Sequence, residues 1–205
     1  MDLLIDGPDD GPTLLLAHGA GAPMDSRWMN DVARLLAARG VRVVRFEFAY
    51  MASRRDGKRG GQPRAEAVLE EYRAAVAEVG GEVWVGGKSF GGRVASMVAD
   101  DVGARGVVAL GYPFHPPGKP VDLSPGSNRI GHLLSTSTPV LVCQGERDPF
   151  GTAEEVAGFG LPDSIELHWA PDGDHSLKPR KASGRTEAQN LADAADAIAG
   201  FTART

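Results

Sequence analysis

Six short apolar runs of β type recur along the chain, alternating with segments of helical periodicity. The runs are TLLLA (13–17), VRVVRF (41–46), VWVG (83–86), GVVAL (106–110), PVLVC (139–143) and SIELHW (164–169). Between them Trp28, Val32, Leu35 and Leu36 repeat at helical spacing, as do Ala65, Val68, Leu69, Tyr72, Val76 and Val79. A last helix carries Leu191, Ala194, Ala195, Ile198 and Phe201. Strands alternating with helices need crossover connections, hence a mostly parallel sheet of about six strands with helices on both faces. The near-continuous apolar character of the runs agrees, because strands covered on both faces have no polar side. Pro63 is expected in the first turn of its helix, where a missing N–H costs nothing. The 205 residues show no internal repeat and no low-complexity linker, so a single α/β domain over 1–205 is expected.

In such a sheet the strands' carboxyl ends share one edge, and ligands bind there. The segments just past each strand are HGAGAP (18–23), FAYMASRRDGKRGG (48–61), GGKSFGG (86–92), GYPFHPPGKP (111–120), GERDPFG (145–151) and APDGDHSLKPRK (170–181). Gly87-Lys88-Ser89-Phe90-Gly91 matches G-x-S-x-G, with an apolar strand before it and a helix bearing Val94, Met97 and Val98 after it. That context is what a nucleophilic serine on a sharp strand-to-helix turn requires. GGKS superficially resembles the end of a P-loop, but that motif needs a glycine at Glu82, and strand residues occupy its flexible part.

A serine nucleophile needs a base, and the base needs an orienting acid. Among five histidines, His175 lies past the last strand and before the final helix, while His168 falls inside a strand. Asp148 follows PVLVCQG and completes the order Ser89, Asp148, His175 expected for serine hydrolases built on such sheets. Asp172 and Asp174 are rival acids whose simpler reading is turn formation around Gly173. The oxyanion hole is expected from the amides of Phe90 and Ala20, with Gly21 as alternative donor and His18 as organiser of the loop.

These motifs together resemble those of the small lidless α/β-hydrolases, the dienelactone-hydrolase-like proteins, over roughly residues 13–200. The resemblance implies the α/β-hydrolase fold and a Ser89–Asp148–His175 triad; no cofactor or metal is expected. It departs from true dienelactone hydrolases in having Ser where they carry the nucleophilic Cys. That departure favours ordinary ester hydrolysis, and the leading expectation is a hydrolase that cleaves carboxylic esters or thioesters of small substrates through an acyl-enzyme. A non-catalytic binding or scaffold protein on the same fold is the alternative.

The segment 112–138, which includes a short stretch of helical character (NRIGHLL), is too short for a cap domain, so an open site is expected. The loops 49–64, 112–130 and 171–185 hold eleven Lys or Arg against four Asp in a chain of net charge −5. Lys88, Arg55, Lys119 and Lys178 are therefore candidate substrate-binding residues, with Arg54, Lys58 and Arg59 beside them. A cleft lined with one sign of charge attracts an opposite ligand, while exposed loops also carry solvated charge for no further reason. The acidic balance argues against a nucleic-acid partner. No apolar run reaches the ~20 residues of a membrane span, and the N-terminus has no signal-peptide pattern. The lone cysteine, Cys143, sits in an apolar run as a small core residue, which suits a reducing, cytoplasmic setting.

Overall fold

The computed structural model describes residues 2–57, 60–122, 124 and 129–205. Lys58 and Arg59 of the basic stretch lie outside the described residues. Among those described, seven strands form one sheet: β1 (Leu3–Asp6), β2 (Thr13–Ala17), β3 (Arg42–Phe46), β4 (Val83–Lys88), β5 (Val107–Leu110), β6 (Val140–Gly145) and β7 (Ile165–Ala170). Their order across the sheet is β1-β3-β2-β4-β5-β6-β7. Six strands run parallel, as the crossover pattern requires. The seventh, β1, pairs antiparallel with β3. It has no counterpart among the six apolar runs: it is only four residues long and lies at the sheet's edge, where Ile5 is 51% exposed.

Alternation along the strands divides the core into two layers. Leu14 and Leu16 of β2 and Val43 of β3 pack with Leu36 of α1 (Arg27–Ala37) and Ile198 and Phe201 of α6 (Glu187–Arg204). Leu15, Val44 and Val85 face the other way, toward Tyr72 of α3 (Leu69–Val79) and Val94 and Val98 of α4 (Phe90–Val98). Cys143 is fully buried in the first layer, and burial pushes its thiol up to about 12, in keeping with a packing residue.

Two short helices have no periodic signal in the sequence. One, α2 (Ala49–Arg55), occupies part of the basic stretch expected as loop. The other, α5 (Ala153–Ala157), starts on a capping box in which Thr152 and Glu155 satisfy each other's backbone amides. The helix expected from Ala65 opens instead as a 3₁₀ turn (Ala65–Val68), and Pro63 stands ahead of it rather than in its first turn. The stretch NRIGHLL forms turns over its described part, not a helix. No cap interrupts the sheet edge among the described residues, and none of their helices is long and apolar enough to cross a membrane.

Tyr72 ties the second layer to the sheet. Its hydroxyl lies 2.9 Å from the Leu15 carbonyl and 2.8 Å from that of Gly86, and it accepts the Gly86 amide at 2.9 Å. All of this is buried, so a missing hydroxyl strands main-chain groups of β2 and β4 without water. Tyr72→Phe is expected to cost about 1–3 kcal/mol, read as a lowered midpoint in urea unfolding with an unchanged slope.

Candidate active site

The turn between β4 and α4 brings backbones into contact that side chains would prevent. A Cβ on Gly87 would sit 2.5 Å from the carbonyl carbon of Gly91, and one on Gly91 would sit 2.6 Å from the carbonyl oxygens of Ala17 and His18. The first turn of α4 is thus pressed onto the end of β2. Between the two glycines Ser89 takes φ 49° and ψ −111°, a conformation L-residues rarely adopt. It is held there by two main-chain bonds, from its own amide to the Leu110 carbonyl (2.9 Å) and from the Arg93 amide to its carbonyl (3.0 Å).

His175 arrives from the loop after β7. Its Nε2 lies 2.8 Å from Ser89 Oγ, and its Nδ1 lies 2.8 Å from Asp148 Oδ2. Asp148, fully buried, sits just past β6 and receives two further bonds, from Gln144 Nε2 (2.9 Å) and the Phe150 amide (2.9 Å). Charge-assisted bonds of this kind fix a carboxylate's orientation as well as its charge. The Phe150 ring covers the imidazole at a centroid distance of 4.3 Å. Gln144 is itself buried, taking the Tyr112 amide on Oε1 (2.6 Å) and donating from Nε2 to the Tyr112 and Gly151 carbonyls. Neither Gln144 nor Phe150 stands out in the sequence as a site residue. The signal for Gln144 is a polar residue ending an apolar strand, but its partners come from two loops, after β5 and after β6.

The rival acids have other duties. Asp172 pairs with Arg180 and Arg147, and its bonds to Arg180 hold it down at about 2. Asp174 accepts the amides of Ser176 and Lys178 and shapes the turn. That turn is stapled from outside as well: Trp28 Nε1 donates to the Ser176 carbonyl at 3.0 Å, and Lys88 Nζ donates to the carbonyl of His175.

The loop after β2 is organised by His18. Fully buried, it places Nδ1 2.7 Å from the Gly19 carbonyl and accepts the Phe48 amide on Nε2 at 3.1 Å. With Nδ1 as the donor, a neutral ring satisfies both contacts, and burial lowers its pKa in the same direction. Tyr50 donates to the Ala20 carbonyl at 3.2 Å. Among the described residues, the amides of Ala20 and Phe90 make no hydrogen bond within the protein.

The four cations expected to bind substrate are dispersed. Arg55 is bound to Glu47 (2.7 Å) and Asp25 (2.8 Å), acids that precede the basic stretch and that its composition alone does not include. Lys88 turns inward toward the His175 carbonyl and the Trp28 ring; burial pushes its ammonium down to about 8 against the pull of Asp148 and Asp174. Lys178 lies with Trp28 and Arg34 in a separate cleft beside α1 and α6. Lys119 lines a cleft walled by Phe90, next to Ser89. Arg54, counted with the same basic loop, donates to the Gly60 carbonyl.

This geometry has relatives. A model of the "Alpha/beta hydrolase domain" family matches residues 10–203. Among solved structures, a lidless serine hydrolase from Xanthomonas campestris superposes with a TM-score of 0.66 at 21% identity, covering 100% of this chain and 90% of that one. The esterase domain of a Rhodothermus marinus protein gives 0.68 at 17% identity, with 98% and 91% covered. A thioesterase domain from the curacin biosynthetic pathway gives 0.66 at 14% identity, with 99% and 94% covered. At these identities the likeness is one of fold. Among curated proteins none matches. The family match spans nearly the whole chain, and the chain belongs to the α/β-hydrolase domain family.

Proposed function

We propose that the protein is a serine hydrolase that cleaves carboxylic esters or thioesters of small substrates through an acyl-enzyme intermediate. The observation that carries this reading is the unbroken relay from Ser89 Oγ to His175 to buried Asp148, with 2.8 Å at each step. In the first half-reaction Ser89 Oγ attacks the carbonyl carbon while His175 Nε2 takes the hydroxyl proton. The carbonyl π electrons move to oxygen, and the amides of Phe90 and Ala20 are the donors for that oxyanion. A preformed donor of this kind contributes about 2.7–4 kcal/mol of transition-state stabilisation. Collapse expels the alcohol or thiol, protonated by His175, and leaves the acyl group on Ser89. Water then repeats the sequence, with His175 as base, and releases the acid. Asp148 keeps its charge throughout and holds Nδ1–H, so that Nε2 is the basic nitrogen.

The fold relatives named as an esterase and a thioesterase support this class of chemistry without choosing between oxygen and sulfur leaving groups. The edge, with no cap over it among the described residues, suits short acyl groups better than long ones.

Ser89→Ala is expected to abolish both labelling by a fluorophosphonate probe and turnover of 4-nitrophenyl acetate. Ser89→Gly should be equally inactive but more stable than the alanine variant by about 1 kcal/mol, roughly 2–4 °C in Tm, because glycine adopts the turn's backbone without strain. Undiminished labelling of Ser89→Ala would put the nucleophile elsewhere. A wild-type chain that neither labels nor turns over the ester would be a non-catalytic member of the fold.

Asp148→Asn should lower kcat by about 10⁴-fold, since the amide favours the wrong histidine tautomer. Asp172→Asn should change kcat less than about threefold, its cost appearing as lost stability through Arg180 and Arg147. Steady-state kinetics on both variants decide the acid, and the reverse ranking would reassign it.

A further inference from the structure

Beside the Ser89 turn lies a cleft of about 940 Å³ that Phe90 helps to line. Its apolar lining comprises Pro63, Ala65, Pro116, Pro120 and Val121 beside Phe90. Four cationic side chains, Arg64, Arg93, Lys119 and Arg129, line it against two acids, Glu66 and Asp122. Among the described residues no carboxylate stands within ion-pair distance of Arg64, Lys119 or Arg129, in contrast to Arg55, Arg73 and Arg180, which are all paired. Arg93 and Arg129 are partly buried, while Arg64 and Lys119 are exposed. The Arg93 side chain is 13% exposed, Nη2 reaches Glu66 at 3.0 Å, and Nε is fully buried with no hydrogen-bond partner among the described residues.

A guanidinium with an orphaned nitrogen and a single acid partner is costly, and the part of it that lines the cleft can take further acceptors and charge from a ligand. Arg129 adds to that cost: burial and the neighbouring Arg93 charge both lower its pKa. Among the described residues its Nη1 reaches the Pro113 carbonyl, at 3.4 Å. The groups behind it give no relief. His132 is bonded to Ser96 and Tyr112, and burial and Arg93 push it down to about 4, so at neutral pH it is uncharged. Two guanidiniums near enough to repel, with a carboxylate bonded to one of them, form a site short of negative charge.

The position of the site relative to Ser89 sets what fills it. Arg93 lies one helical turn beyond Ser89, about 6 Å along the axis of α4. An acyl group attached to Ser89 that ran along Phe90 and the proline wall would place its far end at the cations. We infer that the cleft selects acyl groups ending in a carboxylate, so that the preferred substrates are monoesters or monothioesters of dicarboxylic acids of about six carbons, with Arg93 and Arg129 as the carboxylate donors and Lys119 at the rim. Guanidinium forks suit a carboxylate because they offer it parallel N–H donors. The inference rests on Ser89 as nucleophile and adds the substrate class to that reading.

The test compares the 4-nitrophenyl monoester of adipic acid with 4-nitrophenyl adipamate, which has the same shape without the charge. The wild-type ratio of kcat/KM, charged over neutral, should be at least about tenfold at ~0.01 M salt and fall several-fold at ~0.15 M, as the Debye length shrinks from ~30 to ~8 Å. The gain should reside in KM. Arg129→Gln and Lys119→Gln should each bring the ratio toward one, and Lys178→Gln, in the other cleft, should leave it unchanged. Calorimetric titration of adipate into Ser89→Ala provides a readout independent of catalysis: binding should weaken about tenfold on adding Arg129→Gln, the loss of one charge-assisted contact. A ratio near one that ignores salt and both substitutions, with no adipate binding, would overturn the inference while leaving Ser89 as nucleophile. Adipate binding that depends on Arg129 in a chain whose Ser89→Ala variant still hydrolyses esters would keep the cleft and overturn the nucleophile.

Discussion

The close approach of the β4–α4 turn to the end of β2 is the constraint on which the candidate site depends. With no side chain at Gly87 or Gly91, the first turn of α4 seats against the carbonyls of Ala17 and His18. That seating holds Ser89 in its positive-φ conformation and projects Oγ toward His175. The same approach joins the start of the loop after β2, where Ala20 lies, to the turn that carries the amide of Phe90. One packing contact therefore sets the positions of the candidate nucleophile and both expected oxyanion donors. The conformational strain at Ser89, of order 1–3 kcal/mol, is small beside what the two apolar layers contribute, and the surrounding sheet can hold it.

The relay is built from parts that the sheet alone does not align. The loop after β6 delivers Asp148 and the loop after β7 delivers His175, and neither fixes its side chain unaided. Gln144 and the Phe150 amide hold the carboxylate, Phe150 covers the imidazole, and Trp28 and Lys88 grip the backbone at 175 and 176. Lys88 shows how position and role can diverge. It occupies the variable place in G-x-S-x-G, where a cation suggests substrate, but its ammonium is turned toward the His175 carbonyl. A charged group bonding there stiffens the loop that carries the imidazole.

Charge along this chain acts by pairing more than by sign. Three cations of the basic stretches are neutralised by particular acids: Arg55 by Asp25 and Glu47 and Arg185 by Asp193, all outside those stretches, and Arg180 by Asp172 of its own loop. Once those pairs are formed, the cations of the Phe90 cleft stand out. A count over loops does not find them as a group, because Arg93 belongs to a helix and the other three come from two separate loops.

The layered α/β architecture was legible along the chain, since apolar runs alternating with helical periods admit few other folds. So were Ser89, Asp148 and His175, because strand ends share one edge and G-x-S-x-G names its own turn. Such patterns depend on neighbours within a few residues, which is why a linear reading recovers them. What hung on partners far off in the chain waited for the fold. The antiparallel β1 owes its place to pairing with β3 and not to its own composition. Packing likewise tied Arg55 to Asp25 and Glu47, turned Lys88 toward His175, and set Lys178 in a different cleft from Lys119. Burial and ion pairing belong to groups that the fold brings together: 87 positions separate Lys88 from His175 and 30 separate Arg55 from Asp25, and no pattern local to any of the four records the contact.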